Sequence, residues 1–384
     1  MNNNPLRIAA VPVHGQRKLS NEGYRTRDGH IIEWLGKLTG PSSLVDVISR
    51  PEPGYLTWLP RYRYDKSAVA HNTRPMESVS WRMPNARDLK SWWVESSFDY
   101  PTVPASVQSA VIWNPLYALS ASFDDLACSN RPIVFDLLDD WTLHHHFSGI
   151  RSHVEIAYKN AFNRADYVTA NSEGTVALAQ RYGREDVHFL SNGCDPERFT
   201  SVAVPSGRIV VGYVGKIGKR LDLELIDSVC KQLSDVEFVF AGPILDRPFA
   251  RRLSNISNVR LIGDVHYDKV PDLMASFDIG WVPHNVGEFE VGGDVIKTYE
   301  YRAVGLPVVT TPLIGAGERG LNGIFVRATA TEHSEQIRVL TEGGRATRIV
   351  SSIPDNLTWQ YKARFIRDLI RDRLATTCRA NGQV

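Results

Sequence analysis

The clearest chemistry in the chain lies where glycines and cations crowd together. The segment GYVGKIGKR (residues 212–220) follows an apolar run and precedes a helical pattern at 222–233. A glycine loop in that place lets backbone N–H groups approach a phosphate, and the next helix N-terminus adds partial positive charge. Gly215 stands at the turn, and Lys216, Lys219 and Arg220 bring full charges suited to a diphosphate. The spacing is neither the dinucleotide fingerprint nor a phosphate loop ending in Gly-Lys-Ser/Thr. Taken alone it is equally a strand–helix turn with solvated basic residues.

A second segment, GGDVIKTYEYRAVGLPVV (residues 292–309), places Gly292, Gly293 and Asp294 before a predicted helix at 295–304. Lys297 and Glu300 are three residues apart and share one helical face. A solvated Lys–Glu pair, worth a few tenths of a kcal/mol, explains the spacing as well. A third segment, FDLLDDWTLHHHF (residues 135–147), ends a predicted buried strand with Asp139 and Asp140 and continues to His144 and two further histidines. A carboxylate there is suited to take a proton from a substrate hydroxyl, Asp139 before Asp140. The competing reading makes Asp140 a cap and the histidines solvated. Consecutive histidines share neither a helix face nor a strand face, which argues against a metal triad. Near the N-terminus, His14 and Gly15 open the loop after the first apolar run, and Arg25 and Arg27 follow as cations for an anionic substrate or as solvated loop residues.

The elements that must position these groups alternate along the chain. Apolar runs at 7–14, 43–48, 109–113, 132–138 and 167–170 interleave with helical patterns at 27–38, 150–163 and 174–182, and a similar set follows from 209. This is a parallel α/β pattern. The length of 384 residues suits two domains with a cleft between them. The boundary is expected in the stretch VAVPSG (residues 202–207), giving residues 1–203 and 204–355, with an amphipathic helix in 356–384. Residues 51–104 carry Trp58, Trp81, Trp92 and Trp93 among prolines and read as an irregular insertion. Those tryptophans suit sugar stacking or a lipid surface, or simply pack the insertion.

Lys and Arg number 44 against 43 Asp and Glu, a balance that argues against broad nucleic-acid binding. Cys128, Cys194, Cys230 and Cys378 show no metal-ligand spacing and read as reduced thiols. No signal-peptide core and no run of membrane-spanning length is visible. A cytoplasmic location is expected, with peripheral contact at a membrane surface left open.

Four segments in this order resemble family 4 of the GT-B glycosyltransferases, also called group 1, and their relatives in surface-polysaccharide synthesis: SNGCDPERF, GYVGKIGKRLDLELI, VRLIGDVHYDKVPDLMASFDIGWVPH and KTYEYRAVGLPVVTTPL. NEGYRTRDGHIIEWL is similar to the loop and helix after their first strand. The resemblance implies two Rossmann-like domains, a nucleotide-sugar donor, with UDP the favoured nucleotide, on the second, a saccharide or lipid-linked acceptor on the first, and a final helix crossing back to the first. It implies that Glu300 holds the donor ribose and that Lys216, with Arg220 or Lys219, faces the diphosphate. Residues 292–294 would offer N–H groups to the donor. A second glutamate frequent in that family is replaced here by Gly292. No metal and no organic cofactor is expected, and no Asp-x-Asp segment is present. The alternatives are a nucleotide-sugar 2-epimerase of the same fold, a non-enzymatic two-domain sugar-binding protein, and a Rossmann oxidoreductase, disfavoured because its glycine fingerprint is missing.

Overall fold

A computed structural model describes residues 5–381 apart from 39, 41–42, 61–65, 86, 201–206, 288–289, 291, 318 and 350, and leaves the side chains of 67 and 378–381 undescribed. Most of the stretch expected to link the two halves, and Cys378, fall outside the described part. The chain divides into two compact units. The first comprises Met1–Ser191, Val291–Gly293 and Trp359–Val384, the second Asn192–Glu290 and Asp294–Thr358.

The first unit is built on β1 (Arg7–Val11), β2 (Leu44–Ile48), β4 (Thr73–Met76), β6 (Ser109–Ile112), β7 (Ile133–Leu137), β8 (Tyr167–Ala170) and β9 (Val187–Phe189). They form one parallel sheet in the order β4-β2-β1-β6-β7-β8-β9. Strands such as IVFDL in β7 are buried along their whole length, which is why the sequence reads as a nearly continuous apolar run, broken in β7 only by Asp136, rather than alternation. The helix Arg27–Leu38 falls where its periodicity predicts.

The expectation of an irregular insertion needs correction over Thr73–Met76. That segment is a strand, paired in parallel with β2 at the sheet edge. Pro75 hides it in the sequence, but an edge position tolerates the missing N–H. The rest is a small parallel pair of β3 (Glu52–Pro53) with β5 (Val79–Ser80) and short helical turns. Trp93 packs within the insertion's own surroundings, edge-on to Trp141 at 5.6 Å and beneath the Arg50 guanidinium at 3.7 Å.

The last helix, Trp359–Asn381, belongs to the first unit. Trp359, Ala363, Ile366 and Ile370 recur at helical spacing and are fully buried. Trp359 stacks on His30 with ring centroids 4.8 Å apart. From the same helix Arg373 pairs with Asp166 at 2.8 Å.

The second unit holds β10 (Val210–Val214), β11 (Glu237–Ala241), β12 (Val259–Gly263), β13 (Ile279–Val282), β14 (Val308–Thr310) and β15 (Ile324–Val326). The sheet is parallel, in the order β12-β11-β10-β13-β14-β15. Helices at Leu223–Gln232 and Ile296–Ala303 match the predicted patterns within two residues. The helix Ala330–Thr341 escaped the periodicity reading, although Thr329 and Glu332 form a capping box at its start.

Candidate donor site

The strand order of the second unit reverses between β10 and β13, and loops at such a point are where open α/β sheets bind ligands. The loop after β10 is the glycine–cation segment. Gly215 is required there by space: a Cβ would lie 2.7 Å from the Tyr213 Oη and 2.8 Å from Lys297 Cε. The absence of a side chain thus lets the helix Ile296–Ala303 bring Lys297 against the loop. Burial pushes the Lys297 amine down to about 7, Arg220 and Lys216 push the same way, and Glu300 opposes them. Three cations near enough to disfavour one another's charge make a site that gains from receiving an anion. Lys216 and Lys219 are exposed and Arg220 is half-buried. The amide of Asn285 accounts for the Lys219 carbonyl at 2.7 Å.

One turn beyond Lys297, Glu300 is 5 % exposed and accepts from the Tyr267 hydroxyl at 2.8 Å. Burial pushes its carboxyl up to about 7, against the opposing pull of Tyr267 and Lys297. The solvated-pair reading of Lys297 and Glu300 therefore fails: neither sits on an open helix face. Cys194 is buried close by, its thiol pushed well up by burial first and then by Glu300.

Asp294 takes a different role from the one expected. Its carboxylate accepts from the Asn192 N–H at 2.9 Å, the Tyr299 hydroxyl at 2.6 Å and the Val295 N–H at 2.9 Å. These bonds tie SNGCDPERF to the start of the helix Ile296–Ala303 and consume the nearby donors. Gly292, at φ 76°, and Gly293 belong to the first unit.

In the first unit, Arg27 corrects its assignment as a substrate-facing cation. It is 2 % exposed and forms a two-pronged pair with Asp136 at 2.8 and 2.9 Å. Trp113 Nε1 at 2.6 Å and Thr169 Oγ1 at 2.5 Å also donate to Asp136. Arg25 pairs with Glu22 at 3.0 Å. Gly15 caps the helix Gln16–Glu22, and His14 Nε2 lies 3.0 Å from Lys18 Nζ.

Asp140 is buried and committed to structure. It accepts from the Thr142 N–H at 2.9 Å and the Thr142 hydroxyl at 2.6 Å, and it pairs with Arg181. That is the capping reading, not the base. Asp139 lies in the turn after β7, its carbonyl accepting from Tyr158 at 3.0 Å. His144 caps a short turn, accepting from the His146 N–H at 3.2 Å. The three imidazoles do not splay apart as regular geometry predicts. The turn gathers them, with centroid separations of 4.0–5.2 Å. Among the described residues no group of three or more His, Cys, Asp or Glu side chains is placed to hold a metal ion.

Sequence reasoning overlooked Tyr213, Tyr267 and His284. His284 stands two residues beyond β13, and the rule that selected Lys216 after β10 applies to it equally. Nothing local marks Tyr267, which reaches Glu300 from 33 positions away.

Residues 208–342 match the family described as glycosyl transferases, group 1. TuaH of Bacillus subtilis (strain 168), which carries the name of a teichuronic acid biosynthesis glycosyltransferase, is 30 % identical over 177 residues, 42 % of this chain. The match spans 44 % of that relative's own length. Among solved structures, sucrose-phosphate synthase from Thermosynechococcus elongatus superposes with a TM-score of 0.69 at 15 % identity, covering 97 % of this chain and all of that one. HepE of Anabaena, in complex with UDP-glucose, gives 0.57 at 18 % identity, again over 97 % of this chain and 100 % of the other. At such identities the likeness establishes the fold. The GT-B architecture implied by the sequence resemblance is borne out, as is the group 1 likeness over residues 208–342.

Proposed function

We propose that this chain, group 1 glycosyl transferase in type over residues 208–342, moves a sugar from a nucleotide-sugar donor to a saccharide or lipid-linked saccharide acceptor. The observation that carries the reading is the convergence of Lys216, Arg220 and Lys297 at the switch point of the second unit, one helical turn from the buried Glu300. The cations receive the charge that develops on a nucleoside diphosphate as the glycosidic bond breaks, and Glu300 accepts from the two ribose hydroxyls. UDP is the favoured nucleotide, supported by the likeness to a protein solved with UDP-glucose. In this reading the cations replace a metal ion, so turnover survives chelation by EDTA. Asp140 is engaged by Thr142 and Arg181, and the reading gives the proton-accepting or acceptor-orienting role to Asp139, at the carboxyl end of β7 where open α/β sheets place their ligand groups.

The proposal extends to a peripheral contact with an anionic bilayer. Within the insertion, Trp58 and Trp81 are 71 % and 70 % exposed. Met83 and Leu89 are exposed as well, among the exposed cations Arg82 and Arg87. Exposed apolar side chains interspersed with cations suit a membrane interface.

The test is turnover of a UDP-sugar by Lys216→Ala and Arg220→Ala. Each is expected to lose about 10²–10³-fold in kcat while the melting temperature holds. Full activity in both variants would remove the diphosphate argument. A 2-epimer formed from donor alone, with no acceptor present, would replace transfer by epimerisation.

A further inference from the structure

We propose that Tyr213 and His284 are positioning residues of the donor site, holding the Lys216 loop and the Lys297 amine where a diphosphate meets them; this rests on the nucleotide-sugar reading above. The two side chains bridge the switch point, Tyr213 from β10 and His284 from just beyond β13. Both are buried, at 1 % and 3 % exposure. The Tyr213 hydroxyl lies 3.2 Å from the Lys216 carbonyl and 3.2 Å from His284 Nε2.

Proton counting fixes the direction of this chain. A phenol carries one proton, and a carbonyl only accepts. Tyr213 therefore donates to Lys216, and His284 donates from Nε2 to Tyr213. Burial, with Lys297 and Arg220 adding to it, holds His284 well below its usual range, so the ring is neutral and its one proton sits on Nε2. The histidine is in turn anchored by its main chain: its carbonyl accepts from the Thr311 hydroxyl at 2.8 Å, and it bridges to Leu221 at the far end of the loop.

The peptide following Lys216 is thus pinned at both ends. Tyr213 holds its carbonyl, and the N–H of Ile217 donates to Pro243 at 2.9 Å. The same tyrosine serves the second cation with its ring, which lies 5.1 Å from Lys297 Nζ, within reach of a cation–π attraction. One side chain therefore couples the two cationic elements, the hydroxyl holding the loop and the ring holding the amine. Mutual repulsion would otherwise drive the cations apart until an anion arrived, and a site already assembled saves that ordering cost on binding.

The experiment is calorimetric binding of UDP and, separately, of uridine. Tyr213→Phe keeps the ring and removes the hydroxyl. It is expected to weaken UDP about tenfold, the size of one lost hydrogen bond, with uridine within twofold of the parent chain. His284→Leu should reproduce that loss. His284→Gln, which keeps an N–H at similar reach, should recover most of it. Unchanged UDP affinity in Tyr213→Phe overturns the assignment, even if His284→Leu fails to fold. So does an equal loss for UDP and uridine, the mark of a merely structural role. Failure of the parent chain to bind UDP at all would sink the nucleotide-sugar reading and this one with it; binding by the parent with no effect of the variants sinks this one alone.

Discussion

Tyr267 donates its hydroxyl proton to Glu300 across 2.8 Å, giving a carboxylate in a nearly closed setting a fixed orientation and engaging one of its two oxygens. The other oxygen is then the one offered to a ligand. If it receives ribose hydroxyls, the parent chain should prefer UDP over 2′-deoxy-UDP by about tenfold or more, the range for a hydrogen bond to a charged group. Glu300→Ala should erase that preference while weakening UDP. Calorimetry with the two nucleotides decides it, and equal affinities in the parent chain would place the pentose elsewhere.

Glu300 also makes a prediction about pH and stability. Its folded-state pKa, about 7, stands above the ordinary 4.5, so the folded chain holds the proton more tightly than the unfolded one. The stability this contributes is present below about pH 4.5 and is lost as pH rises through about 7. Glu300→Gln keeps an acceptor for Tyr267 and should flatten that decline. Melting temperatures across pH 4.5–7.5 test it, and parallel curves for the two proteins would contradict the burial argument.

Lys297 has the opposite sign. Its pKa falls from 10.5 to about 7, so its contribution to stability is present above pH 10.5 and disappears as pH falls through about 7. A diphosphate reverses the local preference by favouring the charged amine. UDP binding at pH 8 should therefore take up protons and should weaken as pH rises from 7 to 9. Titrations in buffers of different ionisation enthalpy measure the uptake directly, and Lys297→Met should abolish it.

The buried Arg27–Asp136 pair predicts a variant that hurts folding without touching the donor. Arg27→Ala leaves Asp136 charged and unpaired in the core of the first unit and should cost about 3–5 kcal/mol in denaturant unfolding. UDP affinity should remain that of the parent. A stable Arg27→Ala that loses turnover would restore the substrate-facing role.

For the membrane contact, the parent chain should co-sediment with vesicles of phosphatidylglycerol and phosphatidylcholine, and poorly with phosphatidylcholine alone. Trp58→Ser combined with Trp81→Ser should abolish the association and leave UDP binding intact. Indifference of the parent to both vesicles would leave the exposed tryptophans to some other surface.

How much of this was legible beforehand depended on the range over which each feature is determined. Buried parallel strands such as β7 and β13 announce themselves locally, because β13 is apolar from end to end and β7 at every position but Asp136. The Lys216 loop was legible because glycine and charge mark a strand end. The helix Ile296–Ala303 was legible, but the burial of Lys297 and Glu300 was not, since it comes from Tyr213 and Tyr267, far away in sequence. Spacing alone gave no reason to prefer a buried pair to a solvated one. Asp140 and Arg27 failed for a related reason: the partners that absorb them, Arg181 and Asp136, lie 41 and 109 positions away. The edge strand Thr73–Met76 stayed hidden because its proline speaks against a strand everywhere except at an edge.

The helix Trp359–Asn381 is synthesised after the whole of the second unit, yet the surface it covers, around His30, emerges before that unit. During synthesis the first unit must wait, with that surface bare, until the intervening lobe of Asn192–Thr358 has been made. A fragment cut near residue 200 repeats this unfinished stage permanently. Efforts to produce the amino-terminal lobe by itself should therefore graft residues 359–381 onto it, or meet aggregation at the exposed flank of Arg27–Leu38.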